Sequence, residues 1–242
     1  MPDHPPIEIT PPDLSSYKAG NTGVEYVHVL ESGKPGPSVM VQALTHGNEF
    51  CGAIALDYLL DLHSMHGPCR PIMVCAKSDK SVALSRRMGV PADLLLDTGH
   101  PAGLRMIERG PFGDPASPRT AVLIECGQHW EKGAADVAVD TLYRFLAASG
   151  AVDASICKSH FRVAAPAVQK TIRVTEAVVV KSSGFKFPYL FKGLEVIPKS
   201  GTVVATDGDT TWKTPYDDCV MVMPSLAHAK PGTTVLRLGR YD

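Results

Sequence analysis

His46 and Glu49 stand three residues apart, just beyond the apolar run 38–44. At that spacing both side chains lie on one side of a helical turn, so an imidazole nitrogen and a carboxylate oxygen can reach one ion. The donor pair suits zinc, which in catalytic sites takes three protein ligands and keeps a fourth position for water. Gly47 would let backbone pass close to such a site. The structural alternative is a histidine at a strand end and a glutamate favoured in a first helical turn. A third ligand has candidates in His63, His66, His100 and His129. His63 lies in Asp61-Leu62-His63-Ser64, as expected of a strand end that delivers a ligand with Asp61 behind it. Its alternative is a polar position on the helix that begins at Glu49.

Glu125 closes the apolar run 121–124 and precedes Cys126-Gly127. A carboxylate at the mouth of a buried strand costs free energy unless it has a partner or a task. Beside a metal-bound water it would act as general base and then as general acid to a leaving amine. The alternative is a pair with a nearby Lys or Arg. His129, Trp130 and Glu131 follow at once and are placed by proximity alone to line a pocket.

These residues need a scaffold, and the hydrophobic pattern supplies one. Strands are expected at 24–30, 38–44, 71–76, 94–97 and 120–125, and helices at 49–60, 78–88 and 134–148, the last ended by Gly150. Strands alternating with helices predict an α/β fold, with a mostly parallel or mixed sheet flanked by helices. After Gly150 the helical period disappears. Short runs at 161–168, 170–181, 193–197, 202–206, 220–223 and 234–238 read as strands between Gly and Pro turns. The expected organisation is therefore an α/β part at 1–150 and a smaller all-β part at 151–242.

The bulk properties exclude some partners. The 242 residues are 44% hydrophobic, enough for one large core or two modest ones. Lys and Arg number 24 against 25 Asp and Glu, for a net charge of −1, so neither nucleic acid nor an anionic membrane is an expected partner. No apolar run approaches a membrane span, and residues 1–12 lack the basic and apolar regions of a signal peptide. None of the six cysteines forms a Cys-x-x-Cys pair, so free thiols and a cytoplasmic location are expected. A homo-oligomer is compatible with the sequence, which does not set the state.

On three segments the chain resembles the succinylglutamate desuccinylase and aspartoacylase family, relatives of the zinc carboxypeptidases. Ala43-Leu44-Thr45-His46-Gly47-Asn48-Glu49 is similar to that family's first zinc motif. Asp61-Leu62-His63-Ser64 is similar to the segment supplying its last zinc ligand, and Ile124-Glu125-Cys126-Gly127 to the strand carrying its catalytic glutamate. The β-rich tail with Asp207-Gly208-Asp209 also resembles the family's C-terminal module. The resemblance implies Zn2+ held by His46, Glu49 and His63, Glu125 as the catalytic residue, and hydrolysis of the amide bond of a small N-acyl amino acid. It departs at one place. The family's Asp-x-Asn-Arg motif, which binds substrate, has no counterpart, since the only asparagines, Asn21 and Asn48, do not precede Arg.

Spacing raises a related question. Glu49 and His63 are 14 positions apart, and a continuous helix would separate them by about 20 Å. A segment absent near Leu60-Asp61 is therefore expected. A zinc carboxypeptidase acting on short peptides is a second enzymatic reading. A non-catalytic ligand- or metal-binding homologue is a third, should that segment be truly deleted. A carrier domain with Lys213 as acceptor has little support, because its flanks lack the lipoyl or biotinyl pattern.

Overall fold

A computed structural model describes residues 13–43, 58–76, 78–97 and 103–242. Among them nine strands form one mixed sheet in the order β1-β2-β5-β3-β4-β6-β11-β10-β7. Strands β1 (Val39–Ala43), β2 (Tyr58–Met65) and β5 (Thr120–Gln128) run parallel to one another. β3 (Ile72–Cys75) is antiparallel to β5 and parallel to β4 (Asp93–Leu96). β6 (Lys170–Val179) joins β4 in parallel, and β11 (Thr234–Tyr241), β10 (Cys219–Val222) and β7 (Glu195–Ile197) extend the sheet antiparallel. The hairpin β8 (Val203–Asp207) and β9 (Thr210–Lys213) stands apart from it. The β-rich tail thus continues the sheet that carries the candidate site.

Side chains alternate across the sheet, and so do its two cores. Leu60, Val122, Ile124, Met73 and Leu94 pack beneath helices α1 (Asp79–Met88) and α3 (Lys132–Ser149). Leu59, Ala121, Leu123, Ile72 and Leu95 face the other way, against Ile107 and Phe112 and against Val220 and Val222 of β10. Asp61 and His63 follow Leu59 in this alternation, and Glu125 follows Leu123, so all three project from the second face. α1 and α3 each end on a glycine in the left-handed region, Gly89 at φ 74° and Gly150 at φ 76°, as a helix C-cap favours.

Three expected elements are corrected. The helix expected at 49–60 does not reach its end, because residues 58–60 open β2, paired to β1 and β5. Leu59 and Leu60 are buried on opposite faces of the sheet, a pattern that a short apolar run shares with a buried helix. The run 24–30 forms no strand: Asn21 takes the backbone N–H and C=O of Val29 at 2.7 Å each, and Leu30 is 91% exposed. The run 161–168 is irregular, since Pro166 offers no N–H and the N–H groups of Arg162 and Val163 go to Asp140 rather than to a ladder. One strand, β9, was not expected at all.

Asp140 makes a buried anchor of that last contact. Its Oδ2 accepts from Arg144 Nε at 2.7 Å, and its Oδ1 accepts from the backbone N–H of Arg162 and Val163 at 2.6 and 3.0 Å. Asp140→Ala strands the Arg144 charge and two N–H groups. It should lower unfolding free energy by about 3 kcal/mol or more, read by urea denaturation. A loss below about 1 kcal/mol would show the anchor to be dispensable.

Candidate functional site

The parallel strands bring His63 and Glu125 together. They are direct partners in the β2–β5 ladder, at the carboxyl-end halves of both strands. Ala43, the last residue of β1, pairs with Leu62, so the chain leaves β1 beside His63. Ligands gather at such strand ends in α/β sheets. His46 and Glu49 follow three and six positions after Ala43, but they lie outside the described residues, as does His100. β2 runs unbroken through Leu60 and Asp61. The distance computed for a helix between Glu49 and His63 therefore does not apply, because His63 sits on a strand. The 14 residues 44–57 connect β1 to β2, a length in keeping with a parallel crossover.

His63 is held from behind. Its Nε2 lies 3.1 Å from Oδ1 of Asp61, a carboxylate only 4% exposed. The contact is not aligned as a linear hydrogen bond, so we describe it as an ion-pair contact. It is the main cause that raises the basicity of His63, against burial and with help from the charges of Asp61 and Glu125. In the neutral ring whose Nε2–H faces Asp61, Nδ1 would carry the lone pair. A carboxylate behind a histidine is the arrangement that orients a metal ligand.

Among the described residues Glu125 has no ion pair, and its Oε2 is sealed from solvent with no hydrogen-bond partner. Burial pushes its carboxyl up to about 7, and the charge of Asp61 adds to this. The charges of His63, Arg237 and Arg105 pull it back. Among the described residues no Lys or Arg forms an ion pair with Glu125, although the charges of Arg237 and Arg105 reach it. A cavity of about 280 Å³ opens beside Glu125, lined among others by Ser64, His66, Cys69, Met223 and Ser225. Its far wall comes from the segment after β10, so the β-rich tail completes the pocket.

The arginines were not anticipated. Asp97, at the end of β4, accepts from Arg105 Nη1 at 3.1 Å and pairs with Arg237 Nε at 2.9 Å. Arg105 is fixed further by Glu108, whose Oε1 lies 2.8 Å from Nη2. The signal for Arg237 was present in Val235-Leu236-Arg237-Leu238, a charge inside an otherwise apolar strand.

Other expected candidates fall near the site without joining it. His66 lines the pocket and His129 stands against it, their ring centroids 4.5 Å apart, and His129 Nδ1 lies 2.8 Å from Ser64 Oγ. Glu131 turns back to accept from the N–H of Gln128 at 3.1 Å, which makes it part of the turn after β5. Among the described residues no three His, Cys, Asp or Glu side chains are already gathered to hold an ion. The described cysteines are all free thiols. No helix among the described residues is long and apolar enough to cross a membrane.

No protein-family sequence model matches the chain, and no curated protein matches it in sequence. Solved structures do match it in fold. Succinylglutamate desuccinylase from Vibrio cholerae superposes with a TM-score of 0.53 at 16% identity, over 89% of this chain and 66% of that one. A succinylglutamate desuccinylase/aspartoacylase from Rhodobacter sphaeroides gives 0.52 at 11% identity, over 77% and 58%. The product-bound ectoine utilization protein EutE (DoeB) from Ruegeria pomeroyi gives 0.50 at 13% identity, over 76% and 58%. The fold is thus that of the desuccinylase and aspartoacylase structures, which the three motifs resemble. The chain spans between 58% and 66% of the length of these three structures.

Proposed function

We infer that the protein is a zinc-dependent hydrolase that cleaves the amide bond of a small N-acyl amino acid. The observation that carries this reading is Glu125, whose Oε2 is sealed with no hydrogen-bond partner among the described residues, set beside a histidine that a buried aspartate contacts. The buried carboxylates of Asp97 and Asp140 are both held in ion pairs, so a carboxylate left without one beside a cavity fits a task.

The residues present fit a metal on the side the structure describes. His63, backed by Asp61, would be one ligand, and His46 and Glu49 would complete the set. A bound zinc would supply Lewis acidity and lower the pKa of its water. The chain's own groups do the rest. Glu125, with a carboxyl pushed up to about 7, is poised to accept a proton from the attacking water and to return it to the leaving amine near neutral pH. Arg237, held to Asp97 through Nε, lies close enough to Glu125 for its charge to act there, and we assign it to attract a substrate carboxylate. Arg105 adds positive charge on the same side. We assign to this pair the charge recognition that the absent Asp-x-Asn-Arg motif performs in the similar family. The protein is assigned to the cytoplasm, where the buried unpaired thiols would stay reduced.

The test is amine release by the zinc-loaded chain on a panel of N-succinyl, N-acetyl and N-formyl amino acids, with short peptides alongside. Turnover of at least one N-acyl amino acid, lost on chelation and regained with zinc, is expected. Cleavage of peptides alone would mark a carboxypeptidase. Zinc binding without turnover of any substrate would mark a binding protein and overturn the assignment.

A further inference from the structure

His66, His129 and His228 come from three separate loops, after β2, after β5 and after β10, and meet where His66 lines the Glu125 cavity. Nε2 of His66 lies 3.2 Å from Nε2 of His228. The His66 ring centroid is 4.5 Å from that of His129 and 4.8 Å from that of His228, with the rings edge to face in both contacts. We propose that these three histidines form a second metal site, separate from the His46, Glu49 and His63 set, that takes a late divalent transition ion such as Zn2+, Co2+ or Ni2+.

The distances carry the argument. Two nitrogens each about 2.05 Å from a tetrahedral ion lie about 3.3 Å apart. The His66–His228 pair already holds that separation, so an ion can replace the shared proton without moving either backbone. His129 is the third ligand. Its Nδ1 contacts Ser64 Oγ at 2.8 Å, so the tautomer that donates to Ser64 keeps the lone pair on Nε2. A ligating imidazole is usually fixed in this way through its other nitrogen. The three rings do not yet surround a common point, and a turn of the half-buried His129 ring toward the His66–His228 pair would close the set. Three imidazole ligands with water in the fourth position suit zinc, cobalt, nickel or copper, and not magnesium or calcium, which prefer oxygen donors.

The ion would tie the exposed segment 224–230, which carries His228, to the loops after β2 and β5. That segment walls the cavity through Pro224 and Ser225, so metal would stiffen the pocket rim.

The experiment titrates the full-length protein with Co2+ alone, reading the visible absorption of the bound ion and competing with a chromophoric chelator. The set comprises wild type, His63→Ala, His129→Ala and His228→Ala, with His228→Gln as a second exposed-site variant and thermal unfolding as the folding control. Wild type and His63→Ala should both bind the ion at the histidine rim, while His129→Ala and either His228 variant bind there more than about tenfold more weakly. That exceeds the least effect of losing even an outer partner of a ligand. The ion should raise the melting temperature of His63→Ala but not that of the double variant His63→Ala with His228→Ala. Unchanged binding in the His129 and His228 variants, or no binding at all in His63→Ala, would overturn the proposal.

Discussion

Glu125→Gln is expected to lower turnover of the best N-acyl amino acid by roughly 100- to 10,000-fold while leaving zinc content unchanged. Glutamine keeps the length and shape of the side chain but cannot accept the proton of the attacking water. The same substitution separates a catalytic carboxylate from a structural one, because the two roles move stability in opposite directions. Were Glu125 paired to a buried cation, removing its charge would cost several kcal/mol. Here Oε2 has no partner among the described residues, and burial holds the carboxyl at about 7 against an ordinary 4.5. Between those two values the folded metal-free chain binds a proton that the unfolded chain has lost. Its stability should therefore fall as pH rises through that window, by about 3 kcal/mol at most, and level off above it. Glutamine removes this contribution, so the metal-free variant should be at least as stable as wild type at pH 8. Chemical denaturation at pH 5 and pH 8 reads the difference. A variant with full activity and reduced stability would show that Glu125 holds the fold rather than the chemistry.

The second large effect concerns the metal. The purified protein should carry about one tightly held zinc per chain, and His46→Ala or His63→Ala should each remove it, since three ligands leave none to spare. Elemental analysis after gel filtration against a weak chelator measures this, because ions on the histidine rim exchange under those conditions. Asp61→Asn should act on the same quantity from one step further out. It should cost about ten- to a hundredfold in affinity and leave the ligand set intact. Full zinc occupancy in His46→Ala would remove that residue from the ligand set. Full occupancy in His63→Ala would likewise show that the β2 strand end does not deliver a ligand.

Local pattern alone determined a good part of this protein. The apolar runs that became β3, β4, β5 and β10 are continuous and bounded by turn residues, and the amphipathic stretch ended by Gly150 became α3. In each case burial follows from side-chain type and period, which are properties of neighbours in sequence. Glu125 was legible for the same reason, as a charge at the end of a run too apolar to lie in water. His63 was legible as a candidate, but not its strand. Residues 58–60 satisfy a helical or an extended reading equally, and only the ladders to β1 and β5 chose between them. Ladder partners 19 and 62 positions away cannot be read from local period. Residues 24–30 and 161–168 show the converse. Each has strand-like composition, but Asn21 and Asp140 take the backbone groups a ladder would have used.

Tertiary structure alone decided the company these residues keep. Arg105 and Arg237 are 132 positions apart and meet only because Asp97 ends β4 where β11 lies on the same sheet. His66, His129 and His228 span 162 positions and converge because the loops after β2, β5 and β10 lie against one another. Sequence offers donors and their types; which donors share a volume depends on strand order and register, set by the packing of the whole sheet.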